Sequence, residues 1–183
     1  MGNQPKKIFA YAQKYGVLQG VYWTDIGFGQ PGRQSQGMEF IKGLWDTGCS
    51  ITSISKRVAD KLALPVVGKV NSNTAGGIIE CDRHIVNAYL PNRVCITNLI
   101  IMSNPKLTVD CLIGTDIISQ GDFSVSNYEG KTIVSFRMPS HADIDYVQWA
   151  KNADPAKKAP SQDRNNKCSC GSGKKFKNCC QNM

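Results

Sequence analysis

Asp46, Thr47 and Gly48 stand together once in this chain of 183 residues, and their surroundings limit what the chain can fold into. The run Leu44, Trp45, Asp46, Thr47, Gly48, Cys49, Ser50 follows an apolar stretch with Phe40 and Ile41. Such a stretch reads as a buried strand, and Thr-Gly closes it in a turn. An ionisable group at that junction stands against an apolar wall, a setting suited to acid–base chemistry on water. The tripeptide alone also serves as an ordinary strand-to-turn transition, so the rest of the chain has to decide.

The rest is mainly β. Residues 21–27 and 38–45 read as strands around the Gly-Gln-Pro-Gly turn at 29–32. Ser55 is a candidate N-cap, and Val58, Ala59 and Leu62 form a short helical stripe that Pro65 ends. A polar hairpin tip at 71–77 leads into a strand at 78–86. Further strands are read at 86–90, 94–102 and 107–113, the last ending at Gly114 before a short helical turn. Residues 122–126 and 131–137 form a hairpin around 127–130, and Pro139 closes the domain. Residues 1–20 read as a short helix or as an added strand at a dimer interface. A helix over 143–150 would put Tyr146 and Trp149 on one face, able to dock back on the body.

Asp46-Thr47-Gly48, a hairpin about thirty residues later and the apolar-apolar-Gly of Leu112, Ile113 and Gly114 follow one another in a set order. In that order they resemble the retropepsin-like aspartic proteases over residues 26–139. The resemblance implies a retropepsin-like closed β-barrel or sandwich with one short helix, and a catalytic Asp46 held by Thr47 and Gly48. Thr47 would cross-link two active-site loops, and Gly48 would let the backbone turn beside the carboxylate. Leu112, Ile113 and Gly114 would pack beneath the Asp46 loop, although Leu112 and Ile113 also read as plain core strand. The flap would be 73–77, closing over a peptide through Ala75, Gly76 and Gly77, with Ile113 and Gly114 also lining the peptide site. A simple surface turn is the other reading of 73–77. Two positions depart from the better-known members. Cys49 stands where Ala or Ser is usual, which would expose the site to oxidation. Thr115 stands where the retroviral enzymes carry an Arg that supports the dimer, and Asp116 is read as capping the turn in its place.

Counting sets the expected assembly. Two carboxylates a few ångströms apart share one proton, so one draws a proton from water while the other polarises the scissile carbonyl. This chain carries one Asp-Thr-Gly, with no second Asp-Thr-Gly and no Asp-Ser-Gly, and it is too short for two lobes. The expected enzyme is therefore a twofold homodimer with Asp46 from each copy on the axis. Its expected substrate is an extended peptide or protein.

The tail carries a second motif. Cys168 and Cys170, then eight residues, then Cys179 and Cys180 place four thiols within thirteen residues. Four Cys ligands complete a tetrahedral zinc site, closed and hence structural. With Gly171, Ser172, Gly173, Lys174, Lys175, Phe176 and Lys177 between them, these residues resemble the SEC-C motif, first recognised at the C-terminus of the translocase motor ATPase. The resemblance implies Zn²⁺ as a structural cofactor, with none needed for catalysis. A disulfide pair or a disordered tail is the alternative. Four thiolates and one Zn²⁺ leave a charge of −2 that Lys174, Lys175 and Lys177 would offset.

Charge separates the two parts. From Lys151 onward eight Lys and Arg face two Asp, a net +6 of the chain's +8. A basic knuckle of this kind points to an acidic protein or ribosomal partner, or is simply a solvated linker and tag. Phe176 alone among these basic residues gives no stacking platform, which argues against sequence-specific nucleic-acid binding. Zinc-dependent nucleic-acid binding is a weaker third reading, which requires salt-sensitive affinity. The first residues lack a continuous apolar core for export, and Lys6 occupies the position where a myristoylation site needs Ser or Thr. With no apolar membrane span and with Cys49, Cys81, Cys95 and Cys111 scattered, a reducing cytoplasm is the expected compartment. Cys81 and Cys95 are candidate cross-strand neighbours, although buried reduced thiols suit them better, and His84 reads as structural. The organisation expected is an extension at 1–20, a protease domain at 21–139, a linker with a short helix at 140–166 and a zinc motif at 167–183. A dimeric, catalytically weak binding module that acts through its knuckle is the alternative to the enzyme.

Overall fold

The computed structural model describes residues 7–32, 38–74, 76–153, 164–168 and 170–180. They divide into two units, 1–142 and 143–183. The first unit is mainly β, as the alternation of apolar residues predicts. Its strands are β1 (Phe9–Tyr15), β2 (Trp23–Gly29), β3 (Phe40–Trp45), β4 (Ser53–Ser55), β5 (Gly68–Thr74), β6 (Gly77–Leu90), β7 (Val94–Asn104), β8 (Cys111–Ile113), β9 (Asp122–Ser126) and β10 (Thr132–Met138). Helices α1 (Lys56–Lys61) and α2 (Thr115–Ile118) complete it, α2 being the short helical turn read after Gly114.

Six strands close on themselves in the order β2, β3, β8, β4, β7, β6, with β6 pairing back to β2; β5 extends beyond β6. Closure removes the sheet edges that an open sheet would expose. The inward faces meet in a core in which Ile26, Ile54, Val86, Ile101, Ile113 and Ile117 are fully buried. Each comes from a different element, so hydrophobic burial ties the barrel together across long sequence separations. Ser55 caps α1 by accepting from the Val58 N–H, and Val58 and Ala59 turn into the core, as the sequence pattern requires.

β8 sets the local topology. It runs parallel to β3, with Leu44 opposite Leu112 and Trp45 opposite Ile113, and antiparallel to β4. It is therefore inserted between two strands that are neighbours in sequence. The chain between them, 46–52, must arch over the end of β8.

A second sheet holds β1, β10 and β9, all antiparallel. The segment read as a short helix or an interface strand is thus β1, paired along its length with β10 of its own chain. Trp45 ties this sheet to the end of β3, with its ring 4.9 Å from that of Phe123 and 5.3 Å from that of Phe136.

Other expectations shift. Residues 71–74 belong to β5 rather than to a hairpin tip, with Thr74 opposite Gly77. Residues 107–110 are not strand, because Asn104 accepts from the N–H of Lys106 through its side chain and of Leu107 through its carbonyl, closing a turn first. Cys81 lies opposite Val70 and Cys95 opposite Tyr89, so they are not cross-strand neighbours. All the described cysteines are free.

The second unit contains α3 (Tyr146–Ala153), a residue bridge between Lys167 and Lys175, and a short 3₁₀ turn, Phe176–Asn178. Tyr146 and Trp149 are exposed. Residues 1–6, which include Lys6, and most of the expected linker (154–163) lie outside the described residues. No described helix is long and apolar enough to cross a membrane.

Candidate active site and metal centre

Asp46 follows β3 directly. Its N–H donates to the Ile113 carbonyl at 3.0 Å, which extends the β3–β8 pairing by one residue. Its Oδ1 accepts the Gly48 N–H at 2.9 Å, so the carboxylate is steered by its own loop. A Cβ on Gly48 would lie 3.2 Å from that oxygen, so glycine is what leaves it room. Asp46 is half-buried, while Thr47 and Gly48 are exposed. A carboxylate so placed is fixed on one side and open on the other.

The arch is tied down at its far end too. Thr115 donates its N–H to the Cys49 carbonyl at 2.8 Å. Gly114 lies buried beneath, and a Cβ there would stand 2.7 Å from Cys49 O and 2.9 Å from Thr52 N. Only glycine lets the two backbones approach so closely. Gly114 and the fully buried Ile113 therefore support the loop from below. Both are also expected to line the peptide site; in the single chain both are buried. Leu112 is half-buried on β8.

Thr52 and Asp116 take roles that the sequence reading missed or misplaced. Asp116 accepts from the Thr52 N–H at 2.8 Å and from the Thr52 hydroxyl at 2.7 Å. It accepts from the Ile117 N–H at 2.9 Å as well, but the N-cap of α2 is Gly114, so turn-capping is not its main role. An acidic residue two places after a buried glycine, in an apolar stretch, was the available signal. Its partner, 64 residues away, was not readable.

Burial raises the Cys49 thiol above its ordinary range, with the Ser53 and Ile51 contacts opposing. His84 bridges the Pro65 carbonyl at 2.9 Å and the Ser103 hydroxyl at 3.0 Å, deep in the protein, as a structural histidine does.

The β5–β6 hairpin holds the expected flap. The Thr74 hydroxyl donates to Gly77 O at 2.8 Å and accepts the Gly76 N–H, and Gly77 has φ +101°. Gly76 and Gly77 are exposed; Ala75 lies outside the described residues. Ile78, next along β6, is 71% exposed, and Ile79 turns inward onto Cys81 and Met102. Ile78 and Ile79 are consecutive in β6, so their side chains face opposite sides of the hairpin, Ile78 outward and Ile79 onto the cluster.

In the second unit the sulfur atoms of Cys168, Cys170, Cys179 and Cys180 all lie within 4.8 Å of one another. Cys170 and Cys179 are 3.4 Å apart, and Cys179 and Cys180 are 3.8 Å apart. Tetrahedral zinc with Zn–S near 2.3 Å places its sulfurs roughly 3.8 Å apart, so the donor set fits such an ion. These separations are too long for disulfides. The Ser172 hydroxyl and N–H, and then the neighbouring thiols, hold Cys170 down at about 6. Cys180, beside Cys168, Cys170 and Cys179, is pushed up to about 12. A metal bound here would displace the remaining protons.

Comparison with known proteins agrees with both resemblances. Residues 36–117 match the family model of the aspartyl proteases, and residues 164–182 match that of the SEC-C motif. Curated protein sequences hold no significant match. Among solved structures, a retropepsin-like aspartic protease from Rickettsia conorii is 12% identical, with 72% of this chain and 96% of that one covered and a TM-score of 0.48. The EIAV protease is 16% identical over 55% and 88% of the two chains, with a TM-score of 0.45. The retroviral protease-like domain of Ddi1 from Leishmania major is 17% identical over 57% and 78%, with a TM-score of 0.36.

Proposed function

We propose that this chain is an aspartic endopeptidase that works as a homodimer and carries a structural zinc knuckle. The observation behind this reading is the Asp46 loop, with one carboxylate steered by Gly48, open on its outer side and braced from below by 113–116. One such carboxylate is half of an acid–base pair, so Asp46 of a second copy supplies the other half.

The reaction then follows from the pair. Two close carboxylates share one proton. The charged one takes a proton from the water between them as the water oxygen attacks the peptide carbonyl carbon. The protonated one gives its proton to the carbonyl oxygen. Return of a proton to the nitrogen lets the C–N bond break, leaving a carboxylic acid and an amine. Thr47 joins the two loops across the axis. The hairpin bearing Gly76 and Gly77 closes over the peptide and excludes water. Cys168, Cys170, Cys179 and Cys180 hold Zn²⁺, which orders the knuckle and takes no part in hydrolysis. The basic knuckle recruits an acidic protein or ribosomal partner, and the compartment is the cytoplasm.

The test is cleavage of a diverse peptide library from acidic to neutral pH by the zinc-loaded chain, with Asp46→Asn and a pepstatin-type inhibitor as controls. Cuts made by the wild type and reduced by about 10³-fold or more in Asp46→Asn would support the reading. Equal cutting by Asp46→Asn, or none from a proven dimer, would overturn it in favour of a binding module.

A further inference from the structure

Two ties of the Asp46 arch are made by backbone alone, Asp46 N to Ile113 O and Thr115 N to Cys49 O, the second needing glycine at 114 for its close approach. The third tie is made by side chains. The Asp116 carboxylate takes three donors, the N–H and hydroxyl of Thr52 and the N–H of Ile117, at 2.7–2.9 Å. The Thr52 hydroxyl in turn accepts the Gly114 N–H at 3.0 Å. Thr52 is fully buried, so its hydroxyl and N–H would be costly to leave unpaired, while Asp116 is half-buried. The chain of bonds runs from the start of α2 through Thr52 to Gly114, and it closes the far end of the arch that begins at Asp46.

The chemistry calls for a carboxylate. Both Asp116 oxygens face donors, and an amide offers one acceptor and one donor. Asn at 116 would turn its NH₂ against the N–H of Thr52 or of Ile117. Bonds to an ionised acceptor are also shorter and stronger than neutral ones, which suits a group that must hold a loop rather than fill a core.

We propose that Asp116 and Thr52 are positioning residues for Asp46: together they lock the arch so that the carboxylate keeps the geometry that peptide hydrolysis needs. The proposal rests on the proteolytic reading for its consequence in rate, but not for its consequence in the loop. Neither residue touches substrate. Their effect reaches the reaction through the placement of Asp46, where an error near 1 Å is enough to cost about 100-fold in rate.

The experiment compares Asp116→Asn, Thr52→Val and Thr52→Ser in the full, zinc-loaded chain, reading kcat and KM on a peptide that the wild type cuts, and amide exchange along the barrel. Asp116→Asn and Thr52→Val should lower kcat about 100-fold with KM within about two-fold. Exchange should quicken about ten-fold or more at 46–52 and 113–117 only. Thr52→Ser, which keeps the hydroxyl, should recover most of both losses. Wild-type kcat in Thr52→Val, a change in KM alone, or Thr52→Ser behaving like Thr52→Val would overturn the proposal. If Asp116→Asn does not fold, the two Thr52 variants decide. If the wild type cuts nothing, the proteolytic reading fails separately. The exchange pattern then still decides, since faster exchange spread over the whole barrel would make the pair merely stabilising.

Discussion

The Asp46 loop and the cysteine knuckle are both small sites held by a few polar groups, but they are held in different ways. The loop sits on the closed barrel, and its ties are hydrogen bonds from a strand inserted beneath it. The knuckle has Cys168 as its one buried residue among those described. Its four thiols converge as ligands of a single metal ion would. The contrast teaches that rigidity can come from a core that positions donors or from an ion that gathers ligands. The first kind should survive chelation and fail on a misplaced methyl group; the second should do the reverse.

The largest expected effect tests the knuckle. Binding of structural zinc is worth about 10–16 kcal/mol in small Cys and His modules, and it is folding energy. A strong chelator, or Cys170→Ser, should therefore unfold 164–180 and leave the barrel intact. Amide exchange and backbone NMR resonances would report this. Loss of barrel resonances on chelation would break the comparison.

A smaller effect tests the arch. Gly114→Ala puts a methyl group against two backbone atoms that cannot swing aside. Overpacking of this kind costs about 1–3 kcal/mol, read as a lower midpoint in urea. Metal content of the knuckle should stay unchanged. A variant as stable as the wild type would show that the arch relaxes freely.

The smallest effect concerns Asp122, at the start of β9. The hydroxyl of Ser140, the N–H of His141 and Arg137 hold its carboxyl far below the usual carboxylate range. A lowered pKa contributes stability that is full above the unfolded value, near 3.9, and is lost as pH falls toward the folded value. Asp122→Asn should lower the thermal midpoint at neutral pH, and the gap to wild type should narrow as pH drops below about 4. A gap that stays constant with pH would mean that the charge contributes nothing.

Much of this molecule was readable beforehand. The apolar run before Asp46 made β3, Ser55 made the cap of α1, and the hairpin at 122–138 followed its polar turn. These are local signals, since alternation, capping and turn chemistry act over a few residues. The four thiols were equally legible, because their spacing alone brings them together. The first residues were harder. β1 has as much pattern for a helix as for a strand, and pairing with β10, over a hundred residues away, resolved it.

The sequence by itself marked the candidate groups: one carboxylate on a strand-to-turn junction, a glycine-bearing hairpin and four clustered thiols. Tertiary structure alone decided what holds the carboxylate still. Asp116 reaches Thr52 because β8 slides between β3 and β4, and a strand inserted between sequence neighbours forces the loop to cross over it. No local pattern encodes that crossing. It comes from closing the barrel, where burying five isoleucines and Val86 from six elements at once outweighs the preference of any one segment.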